Sequence, residues 1–203
     1  MRIRESMSSN QDTFFARLVS LACHDLRTPL ATVYGFARTI AKTDGLEEPT
    51  TRYVAMIETA SGQMTELLDE LGLAARIESG RYEPTPTQVS LGELVRAAAG
   101  RLDPDLVRVE GEGEPVTVDA PATERAVAAL VRCALRHGGL EHVDVRVEGR
   151  RVDVSPITPA SAPVVLGEDL RDLGAAVAVR LVRTLGGSVA VEEETLRITL
   201  PGA

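Results

Sequence analysis

The stretch "CHDLRTPL", residues 23–30, sets a histidine beside an aspartate and places a proline five residues after the histidine. An imidazole becomes a useful nucleophile near neutral pH when a hydrogen bond fixes its tautomer. Asp25 can accept such a bond from one ring nitrogen of His24, leaving the other to attack. Pro29 removes one helical hydrogen bond just beyond the pair and bends the chain there. The same residues also suit an ordinary surface or capping histidine, so the surrounding elements have to decide between the two.

Those elements read as helices. Phe15, Leu18, Ala22, Leu26, Pro29, Val33, Phe36 and Ile40 recur at spacings of three and four, which is one face of a long helix from about residue 12 to 42, capped by Asp12 or Thr13. His24 stands two residues from Ala22 and from Leu26, about 200° around the helix from each. The imidazole should therefore face solvent, opposite the apolar stripe. "KTDGLEEPT" supplies Gly45 and Pro49 as turn chemistry, with Thr50 or Thr51 as the next cap. Tyr53, Met56, Ala60, Met64, Leu67, Leu71 and Ala74 then form the stripe of a second helix. The two stripes are expected to pack on each other as an antiparallel hairpin. Val54, Ile57 and Leu68 are left beside the stripe, and pairing with a second copy into a four-helix bundle would cover them, so a homodimer is expected.

"ESGRYEPTPTQ" ends the helical period, and the chain divides into a hairpin over 1–78, a linker over 79–88 and a second domain over 89–203. In that domain "SLGELVRAAAGRL" reads as a helix with Ser90 as cap and Glu93 completing a capping box. "VTVDA" reads as a strand, "ATERAVAALVRCALRHG" as a helix closed by Gly138, and "HVDVRVEGRRVDVS" as two strands. "DLGAAVAVRLVRTLGG" is a further helix ended by Gly186 and Gly187, before a last hairpin in "SVAVEEETLRITL". The fold class is α+β, a helical hairpin followed by a small α/β sandwich with helices on one face of a mixed sheet.

Composition narrows the function. The 203 residues are 44% hydrophobic and 26% charged, ordinary for a chain that folds, but only 3% aromatic, which leaves no platform for stacking bases. A net charge of −8 argues against nucleic acid or an anionic membrane as partner. Cys23 and Cys133 lie too far apart for a disulfide framework or a zinc motif, and no apolar run reaches the length of a membrane span. "MRIRESMSSNQ" lacks the apolar middle of a secretion signal. A cytoplasmic protein is expected. His137 and His142 show no partners at ligand spacing and read as structural or surface residues.

"HDLRTPL", on a long helix followed by a second antiparallel one, resembles the phosphoacceptor box of bacterial sensor histidine kinases. "LLDELGLAARIESGRYEPTPTQVSLGELV" is similar to the junction between the dimerisation and ATP-binding domains of that family. The resemblance implies that His24 is the site of phosphorylation, Asp25 the general base, and Thr28 a residue that orients water in dephosphorylating a response regulator. A hydroxyl bonded back to the helix is the other reading of Thr28. Arg27 would meet phosphoryl oxygens or remain a solvated charge. Helical geometry puts Tyr34, Ala37 and Arg38 where a regulator's receiver domain would dock.

The resemblance also marks what is missing. The family's Mg²⁺-ligating amides fall at Ala129 and Cys133, and a methyl and a neutral thiol are poor ligands for so hard a cation. The adenine-reading aspartate falls at Pro156 or Ser155. The first glycine of the phosphate turn is Asp172, whose charge opposes phosphate, and only Gly174 remains. Residues 155–171 are short for a nucleotide lid. The expectation is a histidine phosphotransferase with no cofactor of its own, the Mg²⁺ being carried by the partner response regulator. An ATP-dependent kinase with a divergent site and a non-catalytic pseudokinase are the alternatives.

Overall fold

A computed structural model describes residues 19, 23, 24, 26–42 and 47–202, and the chain forms two compact units, Met1–Tyr82 and Glu83–Ala203. In the first unit, residues 26–41 form helix α1, with Cys23 and His24 also helical. Helix α2 spans Glu48–Glu78, with Glu47 as its N-cap and a proline in the first turn. Pro49 thus opens the helix rather than ending the turn before it, because its fixed φ suits the first turn and its missing N–H costs nothing there.

The faces that meet in the hairpin are not the large apolar stripes. Cys23 and Ala37 are buried on α1, and Val54, Ser61, Gly72 and Ala75 on α2. A Cβ built at Gly72 would stand 4.0 Å from Cys23 Cβ and 3.7 Å from Arg27 Nη2, so the two helices approach closely. Small residues permit that approach. The larger side chains expected between the helices lie outside: Phe36 is 66% exposed and Met56 61%, and Leu26, Val33, Ile40, Met64 and Leu67 are exposed with them. The expected stripe is therefore corrected. Val54, read as left over beside it, is inside the hairpin, and the rest of that stripe among residues 12–22 lies outside the described residues, as do Asp12 and Thr13.

In the second unit the elements are β1 (Thr87–Ser90), α3 (Leu91–Ala99), β2 (Val107–Glu110), β3 (Pro115–Val118) and α4 (Ala120–Gly138). They continue with β4 (Val143–Glu148), β5 (Arg151–Ser155), α5 (Ala162–Val165), α6 (Leu173–Thr184), β6 (Ser188–Glu192) and β7 (Thr195–Thr199). Five strands make one sheet in the order β2-β4-β5-β7-β6, parallel between β2 and β4 and antiparallel elsewhere, while β1 and β3 form a separate antiparallel ribbon. Burial alternates strictly along β4, and Val143, Val145, Val152, Val154, Leu196 and Ile198 point to the covered face. There α4 packs against both α3 and α6. Thr87 and Gln88 were expected in a linker but pair with Val118 and Thr117, and the Thr85 N–H reaches the Asp119 carboxylate at 3.4 Å.

Local chemistry fixes the helix ends that matter to the site. Ser90 accepts from the Glu93 N–H at 3.4 Å and opens α3. Asp119 accepts from Ala122 N–H at 3.2 Å and opens α4, which ends on Gly139 at φ 62°. That left-handed cap is one residue beyond the expected Gly138, and glycine adopts it without steric cost. The segment before α6 contains α5, whose Val164 and Val165 are fully buried, so it is anchored in the core.

Candidate functional site

On the first unit, His24 is exposed, while the adjacent Cys23 is buried, so the imidazole stands on the side of the helix away from the hairpin seam. Asp25 lies outside the described residues. Arg27 is not a loose charge: its Nη2 donates to Asp69 Oδ1 of α2 at 2.6 Å, which ties the two helices one turn past His24. Thr28 is exposed, and its backbone carbonyl accepts a hydrogen bond from the Thr32 hydroxyl at 3.1 Å. The back-bond read as an alternative for Thr28 is thus made by Thr32 onto Thr28.

Beyond that turn, Tyr34 is half-buried and Arg38 exposed, with the guanidinium 6.0 Å from the ring centroid. Ala37 is corrected: it is buried in the seam against α2 and offers nothing to a docking partner. Helical rotation explains the split, because Tyr34 and Arg38 are four residues apart while Ala37 shares its face with Cys23. The surface around His24 is an imidazole followed along the helix by a threonine, a tyrosine and an arginine. Phosphoryl transfer asks of this side of the reaction an accessible nucleophile, and an exposed imidazole on a helix meets that requirement.

On the second unit, the positions read as altered come to one place only in part. Cys133 is fully buried, and burial first, with the Asp172 carboxylate second, pushes its thiol up to about 12. It is a neutral thiol at any ordinary pH. Ala129, one turn earlier on α4, is half-buried. Asp172 is the N-cap of α6 and its Oδ1 accepts from the Ala175 N–H at 3.0 Å. Gly174 is the second residue of that helix, and Pro156 is exposed beyond the end of β5.

One reading of the histidines is overturned. His137 has partners: its Nε2 lies 3.3 Å from Asp172 Oδ2, and it stands one helical turn from Cys133. The Cys-x-x-x-His spacing on a helix was the available signal, since residues four apart share a face. Asp172 comes from another element 35 residues on, and no spacing points to it. His142 is exposed.

With the geometry in place, comparisons place the chain. Residues 16–80 match the HisKA family, described as the His Kinase A (phospho-acceptor) domain. The chain is 29% identical over 157 residues to "Sensor protein KdpD" of Escherichia coli, covering 73% of this chain and 18% of that protein. It is 26% identical over 195 residues to "Sensor protein DivL" of Caulobacter vibrioides, covering 84% and 25%. The chain thus spans a quarter or less of the length of these relatives.

In fold it is similar to full-length ShkA, solved in complex with AMPPNP, with a TM-score of 0.65 and 19% identity over 92% of this chain and 47% of that one. Acinetobacter baumannii histidine kinase AdeS is similar with a TM-score of 0.56 and 16% identity, over 88% and 98%. Hairpin and sandwich together have the architecture of histidine kinase structures. The chain belongs to the sensor histidine kinase family. Among the described residues no helix is long and apolar enough to cross a membrane.

Proposed function

We propose that the chain is a phosphohistidine relay of a two-component system, taking a phosphoryl group from the aspartate of one response-regulator receiver domain and passing it to another through His24. The ring nitrogen attacks phosphorus, a P–N bond forms, and the P–O bond to the regulator's carboxylate breaks. The partner carries the Mg²⁺ that balances the phosphoryl charge. Asp25 acts as general base and Thr28 supports dephosphorylation. The regulator docks along α1 across Tyr34 and Arg38. The exposed apolar side chains of α1 and α2, Phe36, Met56 and Leu67 among them, pair with a second copy of the chain, because a run of such residues along two helices is covered by a partner.

The observation that carries the ATP-independent half is the pair Cys133 and Asp172. The first offers Mg²⁺ a buried neutral sulfur, where that ion takes oxygen ligands in octahedral geometry. The second holds the Ala175 N–H, in the first turn of α6, with its own carboxylate, where a phosphate would need that N–H and no competing negative charge. These residues do not fit Mg²⁺ and a triphosphate.

The names of the relatives favour a second reading, an ATP-dependent histidine kinase: "Sensor histidine kinase TrcS" of Mycobacterium tuberculosis is 38% identical over 72 residues. One experiment separates the two. The chain is incubated with γ-labelled ATP, and in parallel with a panel of phosphorylated receiver domains, with His24→Ala as control. The relay predicts label from a receiver, none from ATP, and none on the variant. Rapid labelling from ATP that His24→Ala abolishes would overturn it, and absence of label from either source would leave a non-catalytic regulator-binding module.

A further inference from the structure

A side-chain cluster in the second unit takes no part in the phosphotransfer chemistry. Cys133 and His137 stand one turn apart on α4, and Asp172 caps α6, which packs against α4. One thiol sulfur, one ring nitrogen and one carboxylate oxygen lie within 4.8 Å of one another. The thiol is at the buried end, whereas the side chains of His137 and Asp172 retain 17% and 14% of their exposure, so the cluster opens outward and an ion can enter. The carboxylate is already divided in use. Oδ1 is held by the Ala175 N–H at 3.0 Å, and Oδ2 faces His137 Nε2 at 3.3 Å. A hydrogen bond on one oxygen that aims the other is the usual support of a ligating carboxylate.

We infer that Cys133, His137 and Asp172 bind a single transition-metal ion of the zinc class, with water in the fourth position. Sulfur, imidazole and carboxylate together select a borderline ion over Mg²⁺ or Ca²⁺. Tetrahedral geometry with a metal–sulfur distance of about 2.3 Å and metal–nitrogen or metal–oxygen distances of about 2.0–2.2 Å sets donor atoms about 3.3–3.6 Å apart. The triad closes on an ion by side-chain rotation of an ångström or so. The metal displaces the thiol proton, which leaves to solvent, and a thiolate and a carboxylate then neutralise the two charges of the ion. Arg171, one of the two cations that act on the thiol, is engaged by Asp169 at 2.7 Å, and the other, Arg136, is exposed. The ion would clamp α4 to the first turn of α6.

The test uses the full chain stripped by chelator and titrated with Co²⁺, a spectroscopic stand-in for Zn²⁺. One equivalent should bind, with a thiolate-to-cobalt charge-transfer band in the near ultraviolet that Zn²⁺ displaces. Cys133→Ser should lose the band and Cys23→Ser should keep it. His137→Gln and Asp172→Asn should each weaken Co²⁺ binding by at least about tenfold. Metal-free unfolding of each variant checks that it folds. A wild-type chain without the band, or a band that survives Cys133→Ser, overturns the site. Should Cys133→Ser fail to fold, unchanged Co²⁺ affinity in both remaining variants overturns it equally.

Discussion

Cys133 shows how a single position carries information of two kinds. As a residue type at a recognisable place in a helix it carries, on the proposed reading, the loss of a hard-cation ligand, and that much can be argued from the sequence. Its burial, and the carboxylate that meets it across 39 positions of chain, are products of packing. They also predict a pH dependence. The thiol ionises near 9.0 in the unfolded chain and near 12 in the folded one, so the folded state holds a proton that the unfolded state has lost. Stability from this group is complete below about pH 9 and falls as pH rises from 9.0 to about 12, by up to about 1.4 kcal/mol per pH unit. In chelator-treated protein, urea unfolding of Cys133→Ala should lack this part of the alkaline decline, a difference of about 2 kcal/mol at roughly pH 10.5. Parallel pH profiles for wild type and variant would refute it. His24 is the contrasting case, because its exposure follows from helical rotation and needs no tertiary knowledge.

At the scale of elements, the periodicity of α1 and α2 establishes the helices but not which of two faces meets the other helix. Leu26, Val33, Phe36, Met56, Met64 and Leu67 give the strong hydrophobic signal and lie outside, whereas Cys23, Ala37, Ser61, Gly72 and Ala75, joined by the larger Val54, form the seam and together give a weak one. A close helix pair selects for small side chains, so the most intimate interface leaves the faintest hydrophobic trace. The same logic explains why Ala37 looked like a docking residue. In the second unit, strands β3 to β7 and helices α3, α4 and α6 were legible from alternation, caps and glycine ends, while the short β1, β2 and α5 were not. The outward stripe makes its own prediction. If it is the dimer seam, Leu67→Glu removes two buried leucines per dimer, each worth about 1.5–3 kcal/mol, and adds two buried charges. The dimer should weaken at least about a hundredfold, and light scattering should report a monomer at concentrations where the wild type is a dimer. An unchanged mass would assign the stripe to another partner.

The whole molecule consists of two units that meet the demand for a core in different ways. Glu83–Ala203 closes a sheet and three long helices around fully buried Leu91, Leu130, Leu181, Leu196, Ile198 and Leu200, and needs nothing further to bury them. Met1–Tyr82 has a seam of small residues and, on the proposed dimer, borrows most of its apolar burial from a second copy. A unit whose folded form exists chiefly in a complex is stabilised by mass action, and its midpoint rises with protein concentration, while a self-contained unit ignores concentration. Thermal unfolding of the full chain should therefore show two transitions. A tenfold rise in concentration should move one of them upward by a few degrees and leave the other in place. Leu67→Glu should abolish the concentration-dependent transition alone, and Zn²⁺, through Cys133, His137 and Asp172, should raise the other alone. Each perturbation then addresses a different unit, and a ligand or variant that shifted both transitions together would show the two cores to be energetically one.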